Sequence, residues 1–120
     1  MSKTQEEVTP QAQIDALRHL VMKTASGLKP PVTLVEELKW GQPSLRPVPK
    51  AGTPLRLGHT KSGELALFVH CATSLIANWA EACALRGQPA RIEGTRALII
   101  DPDDMAVAAP FIRQALTYYR

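Results

Sequence analysis

The chain has only two cysteines, Cys71 and Cys83, among its 120 residues. Two are too few for the disulfide framework of a small secreted domain. With no CxxC pair, zinc-knuckle and thioredoxin-type readings also fall away. Long apolar runs are missing too. The longest near the C-terminus is 106–112, far short of the ~20 residues that cross a bilayer. The start, MSKTQEE, carries one lysine with no apolar stretch behind it, so no secretory signal is expected. Neither sign of charge dominates: 14 basic against 11 acidic residues leave a net of +3, too little by itself to argue for nucleic acid. No phosphate-loop, dinucleotide, nucleophile-elbow, zinc-protease or EF-hand pattern occurs. No motif sets a nucleophile beside a base, and Ser44 and Ser62 stand without a GxSxG context, so no reaction is named. These absences leave a soluble, cytoplasmic, non-enzymatic protein as the expectation.

Proline is abundant instead. Ten are present, about twice the usual share, which excludes a simple helical bundle. A chain of this length builds one core with a radius of gyration of about 13–14 Å. Residues 1–9 are expected to be a flexible N-terminus and 10–120 a single domain.

Thr9 before Pro10 makes an N-cap and first-turn pair. Ile14, Leu17, Leu20 and Val21 then follow at helical spacing, and Gly27 supplies a stop, so a helix is predicted over 10–26. Pro30-Pro31 breaks the chain. Residues 33–41 read two ways: Thr33 with Glu36 resembles a capping box, while Leu34, Leu38 and Trp40 at even spacing suggest a strand. Pro43, Pro47, Pro49 and Pro54 with Gly52 mark 42–54 as a loop that cannot be helical. Segments 54–58 and 64–70 form a hairpin about a turn at 59–63. The second arm, apolar on both sides, is expected to be central and covered on both faces. Thr73 or Ser74 caps a helix running to about Arg86, with Ile76, Trp79 and Cys83 on one face. Segments 91–93 and 96–100 flank a tight turn at Gly94-Thr95. A last helix holds Pro110, Phe111, Ile112, Ala115, Leu116 and Tyr119, with a start as early as Asp104. The mixture predicts an α+β fold: a mostly antiparallel sheet of about five strands with N-terminal, middle and C-terminal helices.

The run Glu37-Leu38-Lys39-Trp40-Gly41-Gln42-Pro43-Ser44 resembles the signature of the YdhG-like family of small bacterial proteins, a domain of unknown function. The run Glu93-Gly94-Thr95-Arg96-Ala97-Leu98-Ile99 resembles a second stretch found in part of that family. The likeness extends over roughly 10–119. It implies an α+β fold with the first motif on and just after the first strand, which settles about 35–40 as strand. Some members are described as frataxin-like iron chaperones, so the resemblance also implies iron as a cargo. The acids near the first helix are Glu6, Glu7 and Asp15.

Several residues are candidates for function. At Trp40-Gly41-Gln42-Pro43, glycine allows close backbone approach and proline redirects the chain. Trp40 there is either a core plug at a strand end or one wall of a small ligand pocket. His70 and Cys71, where a strand meets a helix, could offer imidazole and thiolate to a transition metal. A carboxylate such as Glu37 or Glu36 would have to join them, since a metal wants three or four ligands. The plain alternative is a hydrogen-bonded His70 and a packed Cys71. Cys83 is read as core, and His19 and the turn residue His59 as solvated. Asp101, Asp103 and Asp104 form an acidic corner suited to turn and cap roles or to a hard cation. Residues 38–63 hold Lys39, Arg46, Lys50, Arg56 and Lys61 and no acid, so +5 sits there against −2 elsewhere. That stretch is either a solvated basic face or a contact for a small anionic ligand or an acidic protein surface. Nucleic acid is disfavoured because Trp40 is the single stacking ring in it and no RNA- or DNA-binding motif is present. The candidate ligand residues are thus Lys39, Trp40, Gly41, Pro43 and Arg46, and the candidate metal residues are His70, Cys71 and Glu37.

Overall fold

A computed structural model describes residues 9–70 and 73–120. Residues 1–8 of the expected flexible N-terminus 1–9, with Glu6 and Glu7, and the candidate ligand Cys71 lie outside the described residues.

The first helix, α1 (Pro10–Ser26), starts and stops where its end signals place it. Thr9 Oγ1 accepts from the Ala12 amide at 3.1 Å, Pro10 occupies the first turn and Gly27 closes the end. Ile14, Leu17, Val21 and Ala25 form its buried stripe. Next come β1 (Thr33–Lys39), β2 (Gln42–Val48), β3 (Leu55–His59) and β4 (Leu65–Phe68). The chain continues through α2 (Leu75–Leu85) to β5 (Ile92–Glu93) and β6 (Ala97–Ile99). A 3-10 turn at Met105–Ala108 then leads into α3 (Ala109–Leu116). Every pairing is antiparallel, and the sheet order is β1-β2-β3-β4-β6-β5. This is the predicted α+β class with six strands.

The additional strand is β2, in the stretch read as a proline-rich loop. Trp40 (φ 56°) and Gly41 (φ 76°) form a two-residue turn with positive φ at both positions, and Lys39 faces Gln42 across it. That turn type matches the natural twist of a hairpin. The prolines are tolerated because of where they fall. In such a hairpin the first pair, Lys39 and Gln42, is hydrogen-bonded and the pairs then alternate. Leu38 with Pro43 and Leu34 with Pro47 are therefore non-hydrogen-bonded pairs. Both proline nitrogens turn away from β1, toward a β2–β3 ladder only two residue pairs long.

The helices cover one face of the sheet. Leu45, Leu55, Leu57, Leu65, Leu67, Val69, Leu98 and Ile100 pack there with Leu17 and Val21 of α1, Trp79 of α2 and Phe111 of α3. Trp79 meets the Phe111 ring edge-on at 5.7 Å. Polar contacts tie the same face to α1. Arg18 pairs with Glu36 at 2.6 Å, and His59 Nε2 lies 2.9 Å from Gln13 Oε1, so His59 is a bonded strand residue rather than a solvated turn residue.

The other face carries no helix among the described residues, which corrects the expectation that β4 is covered on both sides. Leu65, Leu67 and Val69 are in the core. On the opposite side Ala66 is buried within the sheet, Phe68 is half-buried and His70 is exposed. Small residues let this face pass without a second layer: Gly58 leaves room for the Gln42 side chain, which a Cβ there would overlap. No helix among the described residues is long and apolar enough to cross a membrane.

Candidate functional site

The open face is where the charged residues converge. Pairing sets Glu37 opposite Ser44, Ser44 opposite Arg56, Arg56 opposite Phe68 and Phe68 opposite Ala97, in one row across five strands. Arg96 immediately precedes Ala97, and its carbonyl accepts from the Val69 amide at 2.7 Å. A depression of about 220 Å³ opens over this row, lined by Lys39, Trp40, Ser44, Arg56, Phe68, His70 and Arg96 among others.

Arg56 is the best-held cation. Its guanidinium lies over the Phe68 ring at 4.3 Å and donates to Gln42 Oε1. Burial, and then the neighbouring Arg96 guanidinium, lower its pKa from the ordinary value. It remains a cation, because arginine does not deprotonate in proteins. Lys39, Arg56 and Arg96 make no ion pair among the described residues. Beneath them Ser44 is only 3% exposed, and its hydroxyl has no hydrogen-bond partner among the described residues. A buried polar group without a partner costs about 1–3 kcal/mol, and a bound anion would relieve both it and the unopposed guanidinium charges.

A second depression of about 610 Å³ adjoins the first and shares Pro54 and His70 with it. Arg46, Pro49, Lys50, Thr53 and Tyr119 are among its other walls. Lys50 Nζ sits 4.8 Å over the Tyr119 ring. No acid lines either depression. By contrast, the depression of about 350 Å³ between α2 and β6 mixes Arg86 and Arg91 with Asp101 and Asp104, so its charges offset one another.

Trp40 stands at the rim, 91% exposed on the hairpin tip. This overturns its reading as a core plug and places it as a wall of the shallow depression. A bulky residue rarely takes φ near 56°, and the left-handed region costs an L-residue about 1–2 kcal/mol. The fold gains nothing visible from an exposed ring held in a strained turn. Such strain gathers at functional sites.

Of the other candidate ligand residues, Lys39 lines the first depression and Arg46 the second. Gly41 and Pro43 line neither and serve instead to shape the turn and the start of β2. Arg46 is also engaged on Glu37, at 3.3 Å from both carboxylate oxygens. That hydrogen bond, with the Arg46 and Lys39 charges, holds the Glu37 carboxyl below the ordinary carboxylate range. Glu37 is thus committed to a guanidinium, while His70 sits where the two depressions meet. Among the described residues no three of His, Cys, Asp and Glu converge to hold a metal ion. In the acidic corner Asp101 Oδ1 accepts from the Asp103 amide at 2.9 Å, a turn role.

Sequence reasoning missed Phe68, Arg96, Thr53 and Tyr119. The signal for Arg96 was its place in the second motif, one residue before a strand that pairs with β4. Comparisons of the chain with protein-family models, curated proteins and solved structures give no match.

Proposed function

We propose that this protein is a binding module for an anionic ligand, seated on the open sheet face over Ser44, Arg56 and Arg96 beside Trp40. The observation that supports this reading most is the pair of unopposed guanidiniums, Arg56 and Arg96, above a buried hydroxyl in an acid-free depression. Arg56 is preorganised by Phe68 and Gln42, so it recognises an anion without losing much side-chain freedom on binding. Arg96 and Lys39 are exposed and add charge at the rim. Membership of the YdhG-like family belongs to the same reading; Lys39, Trp40 and Ser44 of the motif that carries the resemblance line the first depression.

Calorimetric titration with inorganic pyrophosphate tests this. Saturable binding with a Kd of about 1 mM or tighter is expected at low salt. Arg96→Ala, which changes an exposed side chain, should weaken it about fivefold, while Lys23→Ala on the outer side of α1 leaves it unchanged. Heat that does not saturate, or equal affinity in the Arg96 variant, counts against the site.

A further inference from the structure

The two acid-free depressions adjoin at Pro54 and His70, and together they are called the channel below. Three of the chain's six aromatic residues border it. Trp40 is 91% exposed at one end, Tyr119 is 51% exposed at the other, and Phe68 lies between them beneath the Arg56 guanidinium. Four of the five cations of residues 38–63 line the channel as well: Lys39, Arg46, Lys50 and Arg56, with Arg96 joining from just before β6. A single small anion would occupy one depression and leave the other rings and cations without use.

Resting on the anion-site reading above, we infer that the channel's ligand is single-stranded nucleic acid, its phosphates following Lys39, Arg56, Arg96 and Lys50 and its bases stacking on Trp40 and Tyr119. Single-strand binders combine a cationic groove with sequence-tolerant aromatic platforms. The planar guanidinium of Arg56, fixed on Phe68, offers a further stacking surface. Two sequence observations speak against nucleic acid: Trp40 is the single stacking ring of the basic stretch, and no RNA- or DNA-binding motif is present. The fold answers the first, because β4 brings Phe68, and the C-terminal segment Tyr119, to the two adjoining depressions.

The test is fluorescence anisotropy with labelled oligouridylate and oligothymidylate of about ten nucleotides, beside uridine monophosphate and polyglutamate as competitors. At low salt the oligomers should bind at least tenfold tighter than the mononucleotide, with a slope of about −2 to −3 in log affinity against log salt. Trp40→Asn, which suits the turn, should lose about tenfold or more, whereas polyglutamate should compete poorly. Preference for one oligomer would show that the channel reads the 2′-hydroxyl or the 5-methyl group and supports the inference. Oligomers no tighter than the mononucleotide would overturn it while leaving the anion site standing. Binding unaffected by Trp40→Asn and matched by polyglutamate would overturn it as attraction by charge alone. No binding of the oligomers, the mononucleotide or pyrophosphate would overturn both readings.

Discussion

Gly52→Ala should destabilise the protein by about 3 kcal/mol, lowering the melting temperature by roughly 10–20 °C. A Cβ at this position would overlap the backbone carbonyl of Ala115 and that of Leu116, at the end of α3. Main-chain atoms cannot rotate aside as a long side chain can. The surroundings are also pinned. The Thr53 amide donates to the Ala115 carbonyl at 2.9 Å, and the Tyr119 amide to the Ala51 carbonyl at 2.8 Å. These bonds clasp the segment after β2 to the C-terminus, and between them Gly52 is buried. Relieving the overlap means separating the clasp, which also carries Lys50, Thr53 and Tyr119 of the second depression. Gly27→Ala is the control, since its Cβ meets only ordinary van der Waals contacts and its φ is −86°. Chemical denaturation of the two variants checks this: a Gly52→Ala loss under about 0.5 kcal/mol would mean the clasp is loose.

Trp40→Asn should act in opposite directions on stability and on binding. Asn-Gly is the favoured pair for a turn with positive φ at both central positions. Replacing a strained tryptophan that is 91% exposed should therefore stabilise the hairpin by about 0.5–1 kcal/mol. The same substitution removes the ring beside Lys39 and Arg56, and ligand affinity should fall about tenfold. A residue kept for the fold would show losses in both. Thermal melts and anisotropy on one preparation separate the cases. A lower melting temperature for Trp40→Asn would mean that the ring packs on the protein and that its exposure is not functional.

The helices and the β3–β4 hairpin were legible because local signals and tertiary demands agreed. For α1, the Thr9-Pro10 start, the apolar stripe and Gly27 all mark the same boundaries. For β2 they disagreed. Four prolines in 42–54 speak for loop, and what rescues Pro43 and Pro47 is the direction their nitrogens face, which depends on a pairing register that composition does not carry. The same turn explains the misplacement of Trp40. A tryptophan closing an evenly spaced set with Leu34 and Leu38 reads as core, yet the chain turns with positive φ at positions 40 and 41 and leaves it exposed. The basic stretch was visible, but its partners were not. Arg96, Phe68 and Tyr119 join it through strand order and the docking of the C-terminal segment, contacts between residues far apart in sequence. The expectation of a two-sided cover on β4 failed for a related reason. Alanine at 66 and phenylalanine at 68 look like a second buried face, yet they form the floor of an open one.

The most direct measurement of the central claim is a series of amide correlation spectra recorded during titration with inorganic pyrophosphate. Shifts should saturate together at Lys39, Ser44, Arg56, Phe68 and Arg96, with the Trp40 indole moving alongside them. The α1 residues Leu17 and Val21, behind the sheet, should stay fixed. Saturable shifts confined to the charge-balanced depression around Arg86 and Arg91, or none that saturate anywhere, would contradict an anion site on the open face.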